Sequence, residues 1–191
     1  MLGRWGWCTA IILVAGLGTS SLARADISLF SSYYDNIARA AGKDDAAKVQ
    51  QLVTSGNKLN EFDDDGRTGL QVAAINGNMQ IAAILIRAGA NLNIRDKLGN
   101  AALHYAADRN HAEMVELLLD SGAAVDQENR NGMTPLMLAA SRGNVQEVQN
   151  LLAKGADPRK ADYTGRDALG WAQESHRPSV VQTLQRAQAR R

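Results

Sequence analysis

Between residues 35 and 189 the apolar positions recur at a fixed spacing rather than in one block. Ile37, Leu70, Leu103, Leu136 and Leu169 stand 33 residues apart, and so do Ala40, Ala73, Ala106, Ala139 and Ala172. Leu52, Leu85, Leu118 and Leu151 keep the same period. Two glycine series do so too: Gly66, Gly99, Gly132 and Gly165, and Gly56, Gly89, Gly122 and Gly155. Within one period the pattern predicts a short apolar helix with two small residues, such as Ala106-Ala107, then a tight turn at Gly77 or Gly143. A second helix follows with an aliphatic stripe, for example Met114, Val115, Leu117 and Leu118. Gly122 suits the left-handed position just past that helix. An extended stretch then leads through an Asp or Asn to the next glycine. Each such unit has an apolar face that it buries only against its neighbours.

The stretches "TGLQVA" (68–73), "AALHYA" (101–106), "TPLMLA" (134–139) and "DALGWA" (167–172) head four of the periods. With the 33-residue period, they resemble the signature of the ankyrin repeat family. "DNIARA" (35–40) is a degenerate first copy. Thr68 and Thr134 match the signature threonine, Pro135 its proline and His104 its histidine; the other units depart at those places. The resemblance implies an all-α fold. It is an ankyrin-repeat α-solenoid of about five helix–turn–helix units with β-hairpin-like tips. The repeat domain is expected over 35–191, with units at about 35–65, 66–98, 99–131, 132–164 and 165–189. Lys43, Asp44, Asp45, Lys48 and Gln51 give the first unit a polar outer side, and the final helix is expected at roughly 179–189.

The first 25 residues, "MLGRWGWCTAIILVAGLGTSSLARA", break the pattern. A basic start, an apolar run and Ala23-Arg24-Ala25 read as a cleavable signal peptide (1–25). Its apolar run is about half of the ~20 residues a spanning helix needs, so no stable membrane insertion is expected once it is removed. The expected location is periplasmic or secreted. Residues 26–34, "DISLFSSYY", form an N-terminal leader expected to fold over the first unit. Removal of the signal leaves 19 basic and 20 acidic residues, a balance that argues against nucleic acid as a partner. The single cysteine, Cys8, leaves with the signal, so no disulfide or thiolate chemistry remains.

Candidate chemistry changes little. In "ALHYAADRNHAEM" (102–114), His104, Asp108 and His111 would share a face of one continuous helix. The repeat frame puts a turn between Asp108 and His111, so that face breaks up, and the family resemblance implies that His104 is a structural hydrogen-bonding residue. Asp63-Asp64-Asp65-Gly66 lacks the alternating ligands of a calcium loop, and Asp63 belongs instead to a turn-shaping series with Asp96, Asn129 and Asp162. No phosphate loop, zinc-protease or nucleophile-elbow motif occurs. No cofactor, metal or catalytic residue is assigned, and the protein is not expected to be an enzyme.

The family resemblance implies a protein-binding scaffold whose concave surface is built from hairpin tips and helix ends. The repeat frame selects Phe62, Asp64, Asp65 and Arg67 at the first tip, Arg95, Lys97 and Leu98 at the second, Arg130 and Met133 at the third, and Tyr163 and Arg166 at the fourth. Asp108, Arg109 and Arg142 join them from helix ends. Phe62, Leu98, Met133 and Tyr163 are candidate anchors. Arg95, Arg109, Arg130 and Arg142 are expected to form one basic ridge facing an acidic surface. The expected protein is a monomer with a protein partner of unknown identity. It resembles the small periplasmic ankyrin-repeat proteins of Gram-negative bacteria, some of which are associated with catalase and peroxide defence. An exported effector is the alternative reading, and a metal-binding carrier the remote one.

Overall fold

A computed structural model describes residues 36–189, and the expected signal peptide and leader lie outside that range. Among the described residues ten helices follow one another in pairs. They are α1 (Ile37–Gly42), α2 (Ala46–Thr54), α3 (Gly69–Asn76), α4 (Met79–Arg87), α5 (Ala102–Asp108), α6 (Ala112–Asp120), α7 (Pro135–Arg142), α8 (Val145–Ala153), α9 (Ala168–Glu174) and α10 (Pro178–Ala189). Odd-numbered helices form an inner row, each packed on the next: α1 on α3, α3 on α5, α5 on α7, α7 on α9. Even-numbered helices form an outer row, with α2 on α4, α6 on α8 and α8 on α10. Each helix also packs on its own partner within the unit. Among the described residues there is no strand; the tips are tight loops, closed by isolated bridges between Phe62 and Thr68 and between Ala161 and Asp167.

The repeating positions are the core. Leu70, Leu103 and Leu136 on the inner row, and Leu85, Leu118 and Leu151 on the outer row, are all buried. The alanine pairs Ala73-Ala74, Ala106-Ala107 and Ala139-Ala140 are wholly buried, at 0% exposure. Side chains this small let neighbouring inner helices approach closely, and the inner row packs closer than the outer row. Leu169, the last of its series, is only half-buried, since its unit has a neighbour on one side alone among the described residues.

Local chemistry starts and stops each helix. The Thr68 hydroxyl accepts the Gln71 N–H at 3.3 Å, while Gln71 Oε1 accepts the Thr68 N–H at 2.6 Å, a reciprocal cap. Thr134 caps α7 with Pro135 just after it. The turn inside each unit needs one residue in the left-handed region. Gly77 and Gly143 supply it with φ of 70° and 84°. Asp44, Asn110 and His176 supply it elsewhere, at 54°, 64° and 55°. His176 is thus a turn residue.

The next residue bonds back to the preceding unit. His111 Nε2 lies 3.2 Å from Ile75 O, Asn144 Nδ2 donates to Ala107 O at 2.8 Å, and Arg177 Nε donates to Ser141 O at 3.4 Å.

Candidate protein-binding surface

Every tip is organised by one acceptor. Asp63 Oδ1 accepts the N–H groups of Asp65 and Arg67 at 3.0 and 2.8 Å. Asp96 Oδ1 does the same for Leu98 and Asn100 at 2.8 and 2.9 Å, and Asn129 Oδ1 for Asn131 and Met133 at 2.9 and 3.1 Å. Asp162 Oδ1 holds Thr164 and Arg166 at 2.9 and 3.0 Å. The second oxygen takes a different donor in each acidic tip. Arg67 Nε and Nη2 reach Asp63 Oδ2 at 3.1 and 3.0 Å, Tyr105 Oη donates to Asp96 Oδ2, and Trp171 Nε1 donates to Asp162 Oδ2 at 2.9 Å. Burial, and after it the bond to Asp96, pushes the Tyr105 phenol up to about 12. Burial also raises the Asp162 carboxyl. The Thr164 hydroxyl, the Arg166 and Thr164 amides and the Trp171 indole outweigh that and hold it below its ordinary value.

Neighbouring tips are joined by main-chain bonds. Arg130 N donates to Leu98 O at 3.1 Å and Tyr163 N to Asn131 O at 3.2 Å. At the first joint the Lys97 ammonium donates to Asp64 O at 3.3 Å.

His104 is wholly buried in this framework. Its Nδ1 accepts the Ala101 N–H at 3.1 Å, so Nε2 carries the proton and donates to Met133 O at 3.3 Å. Its partner therefore lies in the adjacent unit, in place of the threonine its own unit lacks. Burial is the main reason its pKa falls to about 4. His111 stands in the turn after Asp108, with its ring against Gly77. The two imidazoles are thus tied to different units and do not converge. Among the described residues no group of three or more His, Cys, Asp or Glu side chains could hold a metal ion.

The selected surface residues divide into three sets. Phe62, Leu98 and Tyr163 are open to solvent at 52%, 64% and 73%, and they are the exposed large hydrophobic side chains among the described residues. Met133 is half-buried beside them. Several charges are already paired: Arg39 with Asp64 at 2.7 Å, Arg67 with both Asp63 and Asp65, and Arg166 with Glu174. Arg166 also lies 4.4 Å from the Trp171 ring centre. Arg95, Lys97 and Arg130 are exposed and form no salt bridge among the described residues.

The four arginines expected in one ridge stand in two rows. Arg95 and Arg130 are on tips, at the starts of inner helices; Arg109 and Arg142 are at the far ends of α5 and α7, about 10 Å away at 1.5 Å rise per residue. Asp108 partly neutralises the second row, accepting from Arg142 Nε at 2.6 Å with Arg109 Nε at 3.8 Å. Sequence reasoning did not assign Arg39, Tyr105, Trp171 or Arg177 to these contacts. Their partners lie 9 to 36 residues away in sequence, and side-chain direction decides which of several candidates they meet.

The two-row stack of paired helices with capped tips is the architecture of an ankyrin array. A family model described as ankyrin repeats (3 copies) matches residues 37–129 and 121–190. The chain belongs to the ankyrin repeat family, whose members are generally protein–protein interaction modules. A search of curated proteins finds none that matches the chain.

Proposed function

We propose that this protein is a non-enzymatic scaffold of the bacterial envelope that binds a protein partner on its concave face, formed by the tips and inner helices. One observation carries the reading: Phe62, Leu98 and Tyr163, the exposed large hydrophobic side chains among the described residues, all sit on tips. Scattered apolar exposure is ordinary, but its confinement to the tips, on three of the four, marks a contact surface. The capped, hydrogen-bonded tips hold these side chains without further ordering on binding, which lowers the entropic cost of association. The envelope location rests on the export signal read in residues 1–25.

Site-specific photo-crosslinking tests both parts. A photoreactive residue replacing Leu98 or Tyr163 is expected to capture one protein in the periplasmic fraction. The same residue replacing Gln149, exposed on outer helix α8, is expected to capture none. Equal capture from both faces, or retention of the protein in the cytosol, would overturn the corresponding half of the reading.

A further inference from the structure

The tips carry a ladder that packing makes directional. Lys97, Arg130 and Tyr163 occupy equivalent places in three successive tips. Each side chain lies back over the glycine of the tip before it. A Cβ added at Gly66 would stand 2.8 Å from Lys97 Cε, one at Gly99 3.0 Å from Arg130 Cγ, and one at Gly132 2.6 Å from Tyr163 Cδ1. Only glycine leaves room for these side chains to lie flat. With the tips locked by the Arg130-to-Leu98 and Tyr163-to-Asn131 bonds, two cations and a phenol are arranged as one row before any partner arrives.

Charge along the row is one-sided. The acids of the first tip are occupied by Arg39 and Arg67, Glu128 by Lys160, and Asp108 by Arg142. Arg95, Lys97 and Arg130 have no such partner among the described residues. Exposed Leu98 stands between these cations in the chain, and Tyr163 ends the row.

We propose that this row binds an acidic, extended protein segment. Its carboxylates face Lys97 with Arg95, and Arg130, and an apolar or aromatic side chain lies against Leu98 and Tyr163. The inference rests on the concave-face reading above and specifies the chemistry of the partner. Units stacked through packed helices repeat at roughly 10 Å, and a chain extended as polyproline II advances ~3.1 Å per residue with about three residues per turn, so every third side chain points the same way. Carboxylates three residues apart therefore meet successive tips.

The probe is a fluorescent peptide of about 12 residues with Glu at every third position, separated by Ile and Ser, titrated into the full chain and followed by anisotropy. Saturable binding is expected. It should weaken about tenfold in the Lys97→Glu/Arg130→Glu double variant, about threefold in Tyr163→Ala, and strongly between about 0.05 and 0.5 M salt. A peptide with Gln in place of Glu should bind about tenfold more weakly. Equal affinity for the Gln peptide, an unaffected double variant, or equal displacement by oligothymidylate would each overturn the inference.

The failures of the two readings are distinguishable. A protein crosslinked through Leu98 yet indifferent to the charge reversals and to the Glu peptide leaves the concave-face reading standing and sinks this one. A protein crosslinked only through the outer helices sinks both. Circular dichroism of the variants is expected to match the parent, because the substituted side chains are exposed.

Discussion

Trp171 donates its indole N–H to Asp162 at 2.9 Å, on the same carboxylate whose other oxygen caps the tip backbone. One acid therefore both shapes a loop and fastens it to the helix that follows. Asn129, the equivalent residue one unit earlier, keeps the capping oxygen but presents an amide on its other side. Asp162→Asn should accordingly preserve the loop, since its one oxygen can still cap the tip backbone, and should lose about 1–2 kcal/mol because the amide then faces the indole N–H and leaves that donor unmatched. Denaturant melts check the loss. Trp171 is the tryptophan of the described residues, and its emission should shift to the red. Because the folded carboxyl lies below its ordinary 3.8, its contribution is present above that pH and disappears as pH falls through the folded value.

His104 predicts a second acid sensitivity at higher pH. Its folded pKa of about 4 lies below the ordinary 6.5, so the folded state favours the neutral ring. The contribution is full above pH 6.5 and is lost as pH falls toward 4, about 3 kcal/mol in all. Gln71 does the same work one unit earlier without titrating, accepting from Thr68 N at 2.6 Å and donating to Asn100 O at 2.6 Å. His104→Gln is therefore expected to fold and to flatten stability between pH 6.5 and 4. A profile as steep as the parent's would show that the imidazole is not the titrating group.

Glu147 offers a gain of stability. It is 1% exposed, and neither carboxylate oxygen has a hydrogen-bond partner in another of the described residues. In the repeat frame it takes the place held by Ile81, Met114 and Val180, all buried. Asn144 and Asn150 on either side of it in the chain donate to Ala107 O and Ala112 O at 2.8 and 3.4 Å, so this stretch is fastened to the preceding unit. Burial raises its pKa. The penalty of the charge is absent at low pH and appears as pH rises through the folded value. Glu147→Met should stabilise the protein by about 1–3 kcal/mol at neutral pH, with the advantage shrinking on acidification. Urea midpoints at pH 7 and pH 4.5 check both the sign and the trend.

Gly99 and Gly165 hold equivalent places with φ of 81° and 83°, yet their surroundings differ. A Cβ at Gly99 would stand 2.5 Å from the Arg130 backbone nitrogen, whereas one at Gly165 meets nothing within 4 Å. Gly165→Ala should lose only the left-handed penalty, about 1–2 kcal/mol. Gly99→Ala should lose more and should break the joint between the second and third tips. Amide exchange at Arg130, whose N–H donates to Leu98 O, reads that joint directly.

The repeat was legible because each unit meets the same neighbour, so the same side-chain sizes return every 33 residues. The tip series Asp63, Asp96, Asn129 and Asp162 was legible for the same reason. Glu147 was equally readable by counting from Met114, but a charged residue flanked by Gln146, Gln149 and Asn150 draws no notice until its burial is known. Charge compensation was not legible. Whether Arg142 faces a partner or Asp108 depends on two side chains 34 residues apart in adjacent units, which periodicity places side by side without fixing which way either leans.

The inner row packs closely on alanine while the outer row is held apart by leucine, isoleucine and methionine. The approach of the inner helices is therefore governed by their smallest side chains. Exchange of Ala106 or Ala139 for valine would push neighbouring inner helices apart before it unravelled any helix. Such a change would shift the tips relative to one another while leaving every residue on them intact.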